Sequence, residues 1–106
     1  MKASEVNPKN WNWDPNYPIR VLYDDEDYSL IWGKYKEKKA LGARWSGDEE
    51  RGYPGQGEYP TWYVEPDFIS IAILQRLLTQ AIDSDELKYV DNIYFAISEL
   101  MSKIKS

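Results

Sequence analysis

The sequence predicts an α+β fold: a small antiparallel β-meander of three to four strands over about residues 19–64, packed against two C-terminal helices over about 67–82 and 85–104. Three observations predict it. Twelve of the sixteen aromatic residues lie between Trp11 and Tyr63, interleaved with turn-forming residues. From Pro66 onward the chain is aliphatic and nearly free of helix breakers. In that second half apolar residues recur at three- and four-residue steps, the period of a helix.

Residues 1–18 form an extended arm, because Pro8, Pro15 and Pro18 oppose helix and Asn and Asp fill the gaps. Trp11 and Trp13 share a face when the arm is extended, and this pair is expected to tie the arm onto the domain. Ile19–Tyr23 and Tyr28–Tyr35 are rich in branched and aromatic residues, and Asp24–Asp27 between them supplies a hairpin turn. The polar stretch Lys36–Lys38 turns the chain into a third strand, Lys39–Trp45. In the middle strand Tyr28, Leu30 and Trp32 share one face and Ser29, Ile31 and Gly33 the other. The second face is not fully polar, so both are expected to be covered in part.

Ser46–Pro60 is a long loop with four glycines, two prolines and an acidic cluster. Thr61–Val64 follows as a short fourth strand that Pro66 ends. Asp67 is placed to cap the first helix, in which Ile71, Leu74, Leu78 and Ala81 make the apolar stripe and Leu77 and Ile82 widen it. Ser84 is placed to cap the second, in which Leu87, Val90, Tyr94, Ile97, Met101 and Ile104 keep helical step. Asp85 and Glu86 then fall at its positive end, and Lys103 and Lys105 at its negative end.

A chain of 106 residues has the size of one domain, 1–106. It holds no cysteine and no histidine, which excludes disulfides, thiolate metal sites and Ser-His-Asp or Cys-His nucleophile systems. No catalytic residues, metal or cofactor are expected. The net charge of −5 argues against duplex DNA as a partner and favours a basic one. The start of the chain has no signal-peptide pattern, and the longest mostly apolar stretch, Phe68–Leu78, falls well short of the roughly 20 residues a membrane span needs. No membrane association and a cytoplasmic location are therefore expected.

Several clusters invite a chemical reading. The run Asp24–Asp27 fails as a calcium loop: counted from Asp25, Leu30 stands where such a loop needs glycine and Lys36 where it needs glutamate. A solvated turn accounts for it. The glycine-rich loop lacks both the GxGxxG and the P-loop spacing, and its carboxylates would repel phosphate. Its length and its Pro and Gly content instead suggest a shaped surface. Asp48, Glu49, Glu50, Tyr53, Glu58, Tyr59 and Trp62 are the expected binding residues there: a negative rim around aromatic anchors that suits another protein with a basic surface. The alternative is that the loop covers a sheet edge.

A second surface, Trp32, Lys34, Tyr35, Lys36, Arg44 and Trp45, interleaves rings with cations as binders of single-stranded nucleic acid do. Edge-protecting lysines explain the same pattern. A third reading sets Tyr53, Tyr59, Trp62 and Tyr63 beside Glu58 and Glu65 as a carbohydrate-binding or carboxylate-based glycosidase site, for which a chain this small offers little room.

Nine tyrosines and five tryptophans exceed what one small core holds, so some rings must reach the surface. The leading expectation is a non-catalytic protein–protein interaction module, with homo-oligomerisation open. Small acidic α+β proteins of this kind include many inhibitors, immunity proteins and antitoxins, an analogy of composition alone.

Overall fold

Strand hairpins and helices follow in the expected order. The computed structural model describes residues 11–12, 16–45, 55–56, 59–60, 62–84 and 87–105. The elements are β1 (Trp11–Asn12), β2 (Arg20–Asp24), β3 (Tyr28–Tyr35), β4 (Lys38–Trp45), β5 (Gly55–Gln56), β6 (Tyr59–Pro60), β7 (Tyr63–Glu65), α1 (Asp67–Asp83) and α2 (Val90–Lys105). The main sheet is antiparallel. β3 pairs β4, β4 pairs β7, and β1 and β2 lie end to end along the free edge of β3. β5 and β6 make a separate two-residue ladder.

Two turns set the register. The acidic run is built into the first: Asp24 Oδ1 accepts the Glu26 N–H and the Ser29 hydroxyl, and Asp25 Oδ1 accepts the N–H groups of Asp27 and Tyr28. These carboxylates are the turn's own hydrogen-bond acceptors. The second turn holds only Lys36 and Glu37, since Tyr35 pairs Lys38 directly. Both turn residues have positive φ, 48° and 71°, the conformation a two-residue hairpin demands to match strand twist.

The sheet is covered on both faces. Toward the helices it presents Leu22, Leu30, Trp32, Leu41 and Ala43, which pack on Leu74 and Leu77 of α1 and on Ile93, Ala96 and Leu100 of α2. The other face buries Ile31 and Ala40 under Trp11 and Trp62, with Ile19, Val21 and Tyr35 at the margin. Glycine makes this second layer possible. A Cβ on Gly42 would stand 2.8 Å from the Trp11 ring, so the indole can sit there only because that position is bare, and one on Gly33 would stand 3.0 Å from Ile19. Trp11 docks on this face and β1 pairs β3, which ties residues 11–12 onto the sheet; Trp13, expected to share that role, lies outside the described residues.

Three local expectations are corrected. Asp67 is the first residue of α1 rather than its cap; Pro66 occupies the cap position without a side-chain bond, and the Asp67 carboxylate accepts from Lys103 Nζ at 3.1 Å. Ser84 closes α1, with both its N–H and its hydroxyl bonded to the Gln80 carbonyl, and α2 begins at Val90 instead of about residue 85. The third correction concerns helix faces. Leu78 and Ile97 sit at the margin of the core, while Ile82, Leu87, Tyr94, Met101 and Ile104 are exposed; the buried stripe of α2 is Ile93, Ala96 and Leu100.

Among the described residues no helix is long and apolar enough to cross a membrane.

Candidate functional site

The ends of the central hairpin differ in charge and in ring content. At one end the β2–β3 turn exposes Asp25, Glu26 and Asp27. Beside them, Tyr28 at the start of β3 pairs across the strands with Trp45 at the end of β4. The two rings meet at 4.5 Å between centroids, tilted by 54°. Trp45 remains 54% exposed, and Tyr63 on β7, on the same sheet face, 53%. Burial, with Glu65 nearby adding its charge, pushes the Tyr28 hydroxyl above its ordinary pKa. Asp25 is held below the usual carboxylate range, chiefly by the Tyr28 N–H and also by the Tyr23 hydroxyl, which donates to it at 2.9 Å. This end is therefore negative at neutral pH and carries a ring platform set on a rigid turn.

The opposite end is basic. A cleft of about 390 Å³ between the β3–β4 turn and the start of α1 is lined by Lys36, Lys38, Lys39 and Lys103, with Glu65 and Asp67 among them. Lys39 pairs with Glu99 at 3.1 Å and Lys103 with Asp67 at 3.1 Å, so two of these cations are already engaged within the protein.

Between the ends a polar network ties the segment before β2 to α2. Tyr17 accepts the Trp32 indole N–H at 2.9 Å. Its own hydroxyl is driven well above the ordinary tyrosine range, first by burial and then by its bond to Glu99. Arg20 lies 3.8 Å over the Phe95 ring and donates to Asn92, which in turn donates to the Val21 carbonyl. The Tyr17 hydroxyl thus joins Trp32 of the sheet to Glu99 of α2.

The expected site residues fall in several places. Asp48, Glu49, Glu50, Tyr53 and Glu58 lie outside the described residues. Tyr59 is described only in its backbone, paired with Gln56. Trp62, expected as a surface anchor, is 3% exposed and part of the second core, where it clusters with Trp11, Ile31 and Ala40. The basic surface is also corrected. Trp32 is buried under the helices, and Arg44 is buried on the opposite face, 5.9 Å from the Trp62 ring. Strand alternation divides that set: Trp32, Lys34 and Trp45 face the helices, whereas Tyr35 and Arg44 face away. Lys36 is exposed and Tyr35 packs on Trp11, so no continuous stacking surface forms from these six. Of the carbohydrate set, the described side chains are the buried Trp62, the exposed Tyr63 and the half-buried Glu65.

Sequence reasoning missed the pairing of Tyr28 with Trp45. The signal was present: a two-residue turn at Lys36–Glu37 fixes every cross-strand pair of the hairpin, whereas a three-residue turn displaces them all. No family model, curated protein or solved structure matches the chain. Among the described residues no group of three or more acidic side chains is placed to hold a metal ion.

Proposed function

We propose that the chain is a non-catalytic protein-binding module that engages a basic partner through the aromatic, acidic end of its sheet. One observation carries this reading: the Tyr28–Trp45 ring pair and Tyr63 stand half-exposed on one face, beside the exposed carboxylates of the β2–β3 turn. Large rings held on rigid strands give contact area at small entropic cost, and surrounding charges set encounter rate and orientation. In sequence, Trp45 is followed closely by the further carboxylates Asp48, Glu49 and Glu50. An inhibitor, immunity or antitoxin-like role is the class this reading favours.

The test uses the tagged chain expressed in its native cell, with captured proteins eluted by rising salt. A paired Trp45→Ser and Tyr63→Ser variant is expected to lose the specific partner. A Glu26→Lys and Asp27→Lys variant is expected to retain it only at higher salt with slower association, because rim charges act mainly on encounter. Both should keep the wild-type melting temperature. Unchanged capture by the ring variant removes this surface from the site.

A further inference from the structure

Helix α2 carries two apolar stripes, and the protein's own core uses the weaker of them. Ile93, Ala96 and Leu100 are buried against the sheet and α1. The second stripe is Val90, Tyr94, Ile97, Met101 and Ile104, at alternating steps of four and three. That is the spacing of a coiled-coil seam. It is longer and bulkier than the buried stripe. Val90 and Ile97 are half-buried, yet Tyr94, Met101 and Ile104 are 53%, 38% and 50% exposed. At 100° per residue its centre lies about 90° from that of the buried stripe, so Ile97 reaches the margin of the core while Tyr94, Met101 and Ile104 stand outside it.

We propose that this stripe is a self-association surface, and that its occupant is α2 of a second copy of this chain, running antiparallel across a two-fold axis near Ile97 and Ser98. The stripe reads nearly the same in both directions about that point. Reversal sets Val90 against Ile104, Tyr94 against Met101 and Ile97 against its own copy, so the four outer layers join unlike side chains and the central one joins two isoleucines. An isologous interface requires this self-complementarity.

Charge chooses the orientation. Asp91, Ser98 and Lys105 lie at seven-residue steps along the solvent side of the stripe, and all three are exposed. Within one chain Asp91 and Lys105 are about 21 Å apart along the helix, too far to pair. In an antiparallel dimer each Asp91 meets the Lys105 of the other copy, at both ends of the seam. A parallel dimer would set Asp91 level with Asp91 and Lys105 level with Lys105, and would form neither pair. At the axis the antiparallel arrangement brings Ser98 near its own copy, a position where a small uncharged side chain meets itself without repulsion. The surface shares no residue with the aromatic end proposed for partner binding.

Sedimentation of the full chain from roughly 1 µM to 1 mM covers the range a short helix seam can occupy. A reversible monomer–dimer equilibrium is expected, lost in a Tyr94→Ser and Met101→Ser variant whose melting temperature at monomeric concentration is unchanged. Asp91→Lys and Lys105→Glu should each weaken the dimer about fivefold, since symmetry removes two rim pairs at once. The double variant should restore it, which an effect within one chain cannot do. Ser98→Glu, which sets two carboxylates near the axis, should weaken it as well. The chain's lack of cysteine allows a direct reading of orientation: Asp91→Cys chains mixed with Lys105→Cys chains should oxidise to the mixed dimer in preference to either homodimer. A chain that stays monomeric at 1 mM, a dimer that survives the Tyr94 and Met101 changes, a charge swap that fails to restore, a Ser98→Glu change without effect, or preferential homodimer disulfides would each overturn the proposal.

Discussion

The two faces of the sheet are buried by different means. The helix face is covered by contiguous chain: α1 and α2 follow directly from β7 and lay aliphatic side chains over Leu22, Leu30, Trp32, Leu41 and Ala43. The other face is covered by single indoles from distant parts of the sequence, Trp11 from the arm and Trp62 from the segment before β7, over Ile31 and Ala40. The difference teaches how a chain this short buries a sheet twice. Both helices lie on the first face, so among the described residues the second layer is made of large rings, and glycine replaces a side chain beneath one of them. Such a layer depends on few residues, and each should carry a large share of its stability.

The largest expected effect tests that point. Trp32→Ala on the helix face should cost about 3–5 kcal/mol, the usual loss on emptying a buried ring site. Trp11→Ala should cost a similar amount, measured by urea unfolding. A loss below about 1 kcal/mol at Trp11 would make the second layer a loosely held flap and end the equivalence of the faces.

Next in size are the helix positions. Leu100→Ala should cost about 2–5 kcal/mol and Ile104→Ala, one turn further on but half-exposed, within about 0.5 kcal/mol, both read by thermal melting at monomeric concentration. Equal losses would mean that the outward stripe of α2 is core.

Smaller again is Gly42→Ala. Its new Cβ would stand 2.8 Å and 2.9 Å from Trp11 ring carbons and 3.0 Å from Ile31. A shift of the ring or the strand should cost about 1–3 kcal/mol, with a change in tryptophan emission as Trp11 moves. Neutral behaviour would show that the indole can slide, and that the second face is less tightly packed than the first.

The smallest effect concerns the polar network beside the helix face. The Tyr17 hydroxyl first, and Lys39 second, hold the Glu99 carboxyl below its ordinary value. The folded state therefore prefers the charged form. Its contribution is fully present above the unfolded pKa of about 4.5 and is lost as pH falls through the lower folded value. Glu99→Gln should remove less than about 1 kcal/mol at pH 7, and its deficit against wild type should vanish in acid. A deficit independent of pH would assign the residue a packing role.

Much of this was legible in the sequence for local reasons. Branched and aromatic runs separated by Asp24–Asp27 and Lys36–Lys38 define strands and turns because backbone preference acts within a few residues. The mixed face of Ser29, Ile31 and Gly33 already pointed to cover on both sides. Of the candidate site, Trp45 keeps an exposed ring, whereas Trp32, Arg44 and Trp62 are buried. Composition places rings and cations near one another in sequence, but strand alternation then assigns each to a face, and register decides which neighbours it meets.

By itself, then, the sequence determined the α+β class, the order of the main strands and helices, where the turns fall and the absence of any cysteine or histidine chemistry. Tertiary structure decided which apolar stripe of α2 became core, which tryptophans were buried, and that Tyr28, Trp45 and Tyr63 gather at one end of the sheet. The physical reason is one of range. A period of 3.6 or 2 residues specifies a direction relative to the element's own axis. What lies in that direction depends on how neighbouring elements pack, and in α2 the stripe of Ile93, Ala96 and Leu100 meets the core, leaving Tyr94 and Met101 facing out.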